Sequence, residues 1–339
     1  MFIRKLVIDA LAFPGVKDSH IHTGFYPSSA SVEYTDDEGT VLHVGTCLRQ
    51  QFYSHAGVPR TEEMDSEVLV KLELGNWTHE MIVELVKRSG YWLGDERRMF
   101  IEGPPPVSGR ADLFVKDPRD GSPVGCEIKS ISGYYGVKRQ IKDTDARPKM
   151  EAVLQCVPYL DFYGAWGLTK WIILYVDRES GAMAEYVVML EEDGSVNVQG
   201  ENFAEIYHHI NLHEVRRRWN QLSGYIAKGE LPPRDYVEQW SNKEILRRKN
   251  AGELTATETK TIDSKLKTGN TNKPMLKKGD WQCNYCDWKR RCPNDEAGPF
   301  EGEVSQMIKP VALSPAEVAR MQAAPGKPKV DKIDQGEVF

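Results

Sequence analysis

The alternation of apolar and polar positions along the chain divides it into segments of different period. Over 76–90, "NWTHEMIVELVKRSG", apolar residues recur at helical spacing (Trp77, Met81, Ile82, Leu85, Val86), with Asn76 able to cap the helix and Gly90 to end it. A shorter helix is predicted over 44–58, ending near Gly57. The period then changes. Segments 98–103, 109–117 and 124–132 are short, partly alternating and separated by turn-rich stretches such as "DPRDGSP", which predicts three strands. A helix over 149–164, bent near Pro158, strands at 170–178 and 184–190, and a long helix over 202–229 complete the regular part. Residues 1–40 read as polar and irregular, with a turn at "FYPSSAS". Residues 250–275 read as a polar loop or partly ordered insertion, and the stretch after Cys292 as a tail rich in Pro, Gly and charge with one short helix after Ser314. The expectation is an irregular segment at 1–43, an α/β domain over 44–295 built on a small mixed sheet flanked by helices, and a flexible tail at 296–339.

Composition narrows the class. The chain has 339 residues, 40% of them hydrophobic and 28% charged, enough for one large domain or two ordinary ones around a substantial core. No stretch approaches the roughly 18 apolar residues that a membrane span requires. The apolar run near the N-terminus is broken by Asp9 and Pro14, unlike a signal peptide. A cytoplasmic location follows as the expectation, where six cysteines serve as ligands or buried side chains rather than disulfides. A net charge of −6 argues against indiscriminate coating of nucleic acid, but it leaves room for local basic clusters such as 136–149 and 243–250.

Candidate chemistry sits on two of the predicted strands. "GRADLF" presents Asp112, and "GCEIKS" presents Glu127 and Lys129 two residues apart on one strand face. Val124, Cys126 and Ile128 take the opposite, core-facing side. If the strands pair antiparallel, Asp112 joins Glu127 and Lys129. Two carboxylates are the hard oxygen ligands that Mg2+ or Mn2+ prefers, and the lysine can stabilise charge developing on a phosphate. His79 lies near the packed face of its helix, within reach of such an ion. Gln155 and Tyr159 fall one helical turn apart. Near the C-terminus "CNYCDWKRRC" places Cys283, Cys286 and Cys292 within ten residues, one ligand short of a four-thiolate site. Cys126 and Cys156 read as small buried hydrophobes.

In order, these motifs (G-x-x-x-H, G-x-x-D, E-x-K and Q-x-x-x-Y) resemble the PD-(D/E)XK nuclease superfamily, in its RecB-like exonuclease branch and most of all its Cas-four type members. The resemblance spans about 44–295. It implies that His79, Asp112, Glu127 and the Ile128 carbonyl bind Mg2+ or Mn2+, that Lys129 is the catalytic lysine, and that Gln155 and Tyr159 position the scissile strand. It also implies a [4Fe–4S] cluster whose leading ligand is Cys47, in "GTCLRQQFY" with Arg49 and Phe52 in matching places, and whose trailing ligands are Cys283, Cys286 and Cys292. Zn2+ is the rival occupant of four thiolates. The cysteine segment would then carry Trp288, Arg290 and Arg291 toward single-stranded DNA. The implied activity is a metal-dependent DNA exonuclease acting on single-stranded ends, with a helicase, recombinase or CRISPR integrase as candidate partner. The alternative is a DNA-end-binding adaptor whose nuclease site is weak or unused.

Overall fold

The computed structural model describes residues 24–62 and 65–300. In chain order the first elements are β1 (Ser31–Thr35), β2 (Val41–Gly45), α1 (Leu48–His55), α2 (Ser66–Ser89), β3 (Trp92–Ile101), β4 (Val107–Lys116) and β5 (Pro123–Ile131). Next come α3 (Met150–Gly164), β6 (Trp171–Asp177), β7 (Met183–Leu190), β8 (Ser195–Gly200), β9 (Phe203–Asn211) and α4 (Leu212–Lys228). The last are β10 (Glu230–Leu231), α5 (Asn242–Asn250), α6 (Ala256–Lys267) and β11 (Gly298–Pro299). The described chain forms two compact units, 24–45 with 65–224 and 46–62 with 225–300.

The first unit is a mixed α/β structure on one seven-stranded sheet, ordered β3-β4-β5-β6-β7-β8-β9. It is larger than the small sheet expected. Every pairing is antiparallel except β5 with β6, and α3 supplies the crossover that a parallel pair needs. Strand alternation sends Cys126 and Ile128 into a core with Ile82 and Val83 of α2, Leu113 and Val176. Lys129, one residue out of phase, turns to the face on which α3 lies and meets Gln155 there.

Several elements differ from their sequence reading. Residues 31–45 form a hairpin rather than an irregular segment. Its turn is organised by Asp36, whose carboxylate accepts from the Glu38 and Thr40 amides. Helix α2 starts ten residues before Asn76, where Asp65 caps it by accepting from the Glu67 amide at 2.8 Å. Gly90 ends it in the left-handed conformation, as expected. Trp77, Met81 and Leu85 are exposed, and the helix buries Thr78, Ile82 and Val83 instead. The single helix expected over 202–229 is strand β9 followed by α4, and β8 precedes it unforeseen.

In the second unit, the polar stretch read as a loop contains α6. A reciprocal pair of Thr255 and Glu258 caps it, and its Ile262 is fully buried with Trp240, Ile245, Met275 and Leu276. Strands β10 and β11 pair within the segment assigned in part to the tail. The remainder of that tail, with its helix after Ser314, and most of the N-terminal segment lie outside the described residues. Among the described residues, no helix is long and apolar enough to cross a membrane.

Candidate functional site

Pairing of β4 with β5 runs from Lys116–Pro123 to Leu113–Cys126 and stops there. One step beyond, the Asp112 carboxylate takes over the ladder's role and accepts from the Ile128 amide at 2.8 Å. This substitution brings Asp112 beside β5, where Glu127 and Lys129 stand. The antiparallel pairing on which the sequence reading depended is present. Lys129 Nζ donates to Glu127 Oε1 at 2.7 Å and to Gln155 Oε1 at 2.8 Å. Glu127 is 2% exposed, and its second oxygen, Oε2, is buried with no hydrogen-bond partner. His79 Nδ1 lies 3.6 Å from Asp112 Oδ2. His79 and Asp112 thus meet at the Ile128 step of β5, and Glu127 and Lys129 stand paired on its flanking residues.

Their electrostatics follow from burying like charges. Burial and the neighbouring Glu127 charge push the Asp112 carboxyl well above its usual range, only partly offset by the Ile128 amide and Lys129. Burial opposes the charge on Lys129. The Glu127 carboxylate, through its charge and hydrogen bond, outweighs that cost and holds the lysine above its ordinary value, hence protonated. His79 is pushed down by burial despite Glu127, so the neutral ring suited to metal ligation is favoured.

Helix α3 braces both strands of the site. Gln155 holds Lys129 on β5, and Tyr159, one turn later, donates its hydroxyl to the Arg110 carbonyl on β4 at 2.8 Å. Tyr159 is 2% exposed and stacks on Trp171 with ring centroids 4.9 Å apart. The structure thus corrects its assignment as a DNA contact: the ring is core and its hydroxyl is used by the backbone. The glycine of the G-x-x-D motif has a local reason as well. A Cβ on Gly109 would come within 2.9 Å of Pro27 and 3.1 Å of the Tyr159 ring.

His79, Asp112, Glu96 and Arg110 line one cleft of about 940 Å3. Sequence reasoning missed Glu96. It sits between the paired residues Asp95 and Arg97, whose partners Leu113 and Ala111 flank Asp112. It has a φ of 50°, uncommon for a residue with a side chain, and forms an ion pair with Arg110. Burial, with Asp95 and Glu127 nearby, raises its carboxyl despite Arg110. The acidic position inside the charged run "DERR" was its only sequence signal.

The second unit holds the cysteines. Cys47, Cys283, Cys286 and Cys292 line a single cavity of about 300 Å3. Burial, then the Asp235 charge, pushes the Cys47 thiol up to about 12. Cys283 is pushed up to about 12 by burial and by neighbours that include the other three cysteines. Burial also raises Cys286. The fully buried Arg49 guanidinium ties the two cysteine segments together, donating to the carbonyls of Pro232 and Asp295 at 2.8 Å and of Cys292 at 3.4 Å. Phe52 packs edge-on against Phe300. Cys126 and Cys156 are buried in the first unit, as expected.

One DNA-binding assignment in this segment is changed. Trp288 is 4% exposed, and its indole donates to the Val58 carbonyl at 3.0 Å, so it packs the unit and presents nothing to solvent. Arg291 is held by Asp295 at 2.8 Å. Arg290 is exposed and pairs with Glu62 at 3.1 Å.

Among the described residues, no group of three or more His, Cys, Asp or Glu side chains forms a ready-made set for one metal ion. No protein-family model matches the chain, and no curated protein matches it significantly. A solved structure described as the crystal structure of SSO0001 is similar at a TM-score of 0.37 and 15% identity, over 87% of this chain and 96% of that one. A likeness of that size carries no argument about fold or function.

Proposed function

We propose that the chain is a metal-dependent deoxyribonuclease of the PD-(D/E)XK type, an exonuclease acting on single-stranded ends. The observation that carries this reading is the pairing of His79 with Asp112 and of Lys129 with Glu127 at neighbouring positions of β4 and β5, with Glu127 Oε2 buried and unpartnered. A buried carboxylate oxygen without a donor is costly unless a cation satisfies it. The elevated Asp112 carboxyl has the same need. His79, Asp112, Glu127 and the Ile128 carbonyl would hold Mg2+ or Mn2+, whose chemistry is to acidify water and offset phosphate charge. Lys129, fixed by Glu127 and Gln155 and kept protonated, offsets the charge that builds on the phosphate oxygens as water adds to phosphorus and the ester oxygen departs.

The cysteine cavity would hold a [4Fe–4S] cluster, with zinc as the rival occupant. Zinc draws four sulfurs into direct contact around one ion, whereas a cluster places its own irons and sulfides between them. Four cysteines lining one cavity of about 300 Å3 leave room for the second arrangement. Elevated thiols that crowd one another also lose that penalty when bound as thiolates to a cationic centre.

The test is cleavage of labelled single- and double-stranded DNA with and without Mg2+ or Mn2+. A Glu127→Ala, Lys129→Ala double variant is expected to lose roughly a hundredfold or more of the activity. Robust cleavage by that variant would remove the assigned site, and DNA binding without cleavage by the wild type would favour an adaptor role.

A further inference from the structure

The loop between β5 and α3 is not used by the chemistry described above, yet it follows Lys129 directly along the chain. Gly133, with φ of 82°, turns the chain out of β5. Tyr134 and Tyr135 then stand 71% and 75% exposed, their rings edge to face at 5.4 Å. Five exposed cations follow, Lys138, Arg139, Lys142, Arg147 and Lys149, against two acids, Asp143 and Asp145. Lys138 reaches over the Tyr134 ring at 6.0 Å and lies 3.7 Å from Asp143. Residues Lys138–Lys142 form a π-helical turn, a conformation that recurs at functional positions.

The loop is anchored at its base. Arg178 bonds Ser132 Oγ at 2.9 Å, Tyr186 donates to the Gln140 carbonyl at 2.9 Å, and the Lys149 amide donates to the Tyr175 hydroxyl at 2.9 Å. Two large rings are therefore held out in water by a fixed root, without the apolar cover such rings usually find. Four residues lie between Lys129 and Tyr134, so the two backbones are no more than roughly 17 Å apart. The position also follows the general preference of ligands for the carboxyl ends of strands in a parallel unit, and β5–α3–β6 is the parallel unit of this sheet.

We infer that Tyr134 and Tyr135, with the cations of the same loop, form a stacking platform for the unpaired bases of single-stranded DNA entering the Lys129 site. Exposed rings can stack only on bases whose faces are free, which excludes the interior of a duplex, and the basic stretch supplies the complement to phosphate. The inference rests on the nuclease reading for its choice of polyanion and names the strand that reading would cleave.

The test uses the full-length protein with EDTA, so that binding is measured without cleavage, and a short fluorescein-labelled oligothymidylate read by anisotropy. A Tyr134→Ala, Tyr135→Ala variant is expected to lose about tenfold or more in affinity, and the corresponding double Phe variant to retain it, because stacking needs the ring and not the hydroxyl. Wild-type protein should bind blunt duplex more weakly than the single strand. Equal binding by the Ala variant, equal binding of duplex, or full competition by polyglutamate would each overturn the platform. Hydrolysis of a small aryl phosphodiester with Mn2+ separates the two readings. Hydrolysis by the wild type with no effect of the Ala variant on oligonucleotide binding ends the platform alone. Loss of oligonucleotide binding in the Ala variant, with no hydrolysis by the wild type, supports the platform and ends the nuclease assignment.

Discussion

Removing a single oxygen, by Tyr159→Phe, separates two roles for the second half of the Q-x-x-x-Y motif. The ring stays, stacked on Trp171 and packed against Gly109, so no cavity opens. What is lost is the donor to the Arg110 carbonyl, a 2.8 Å bond from a residue that is 2% exposed. A net hydrogen bond is worth about 1 kcal/mol, and stranding a buried carbonyl adds to that, so the expected loss is about 1–2 kcal/mol. For a unit of this size that is a fall of roughly 3–6 °C in melting temperature. Because Arg110 lies two residues before Asp112, kcat should fall modestly as β4 relaxes, with KM for DNA unchanged. Differential scanning fluorimetry and steady-state cleavage of a labelled oligonucleotide measure both. A raised KM with an unaltered melting temperature would mean that Tyr159 touches substrate, and the brace described here would be wrong. The larger truncation Tyr159→Ala leaves a hole beside Trp171 and should cost about 3–5 kcal/mol.

Asp112→Asn should abolish metal-dependent cleavage yet raise thermal stability at neutral pH. Burial and Glu127 raise this carboxyl, so its ionisation opposes folding. Below the ordinary carboxylate pKa of about 4 both states are protonated and the variant has no advantage. The advantage grows as pH rises from there through the elevated folded value, and a variant less stable than wild type at pH 7 would contradict the burial argument. Mn2+ should stabilise the wild type in the same melting assay and leave the variant unmoved. Cys47→Ser should lose iron as completely as Cys283→Ser after anaerobic purification, whereas Cys126→Ala should keep it; full iron in the Cys47 variant, or one stoichiometric zinc in the wild type, refutes the pairing. Trp288→Phe removes the bond to the Val58 carbonyl and should destabilise the second unit by about 1 kcal/mol or more without changing affinity for single-stranded DNA. A selective loss of DNA affinity would return that tryptophan to the binding surface.

What could be read from the chain depended on how local the cause was. Asp112, Glu127 and Lys129 were legible because strand alternation and one antiparallel pairing suffice to bring them together. Gly90 was legible as a helix stop for the same reason. The start of α2 was not, because the Asp65 cap lies eleven residues upstream of Asn76, where the strongest apolar repeat begins. Helix α6 was concealed by its polarity: one fully buried residue, Ile262, fixes it, and the Thr255–Glu258 box was the available signal. The run 203–211 alternates weakly and leads directly into α4, so a single helical period seemed to cover both. For Tyr159 and Trp288 the residue type carried no direction. An aromatic ring serves a core or a ligand equally well, and only the partners of its polar atom, the Arg110 and Val58 carbonyls, decide which.

The order of residues in the second unit has a consequence for biosynthesis. Its first segment, 46–62, carries Cys47 and Arg49, while the segment that completes it, 225–300, carries the other three cysteines. The whole of the seven-stranded sheet is translated between them. On the ribosome the early segment must wait, with its arginine lacking the Pro232, Cys292 and Asp295 carbonyls and its thiol open to oxidation, until translation has passed Asp295. Closing so long a loop costs only a logarithmic entropy, so the delay is one of timing rather than of stability.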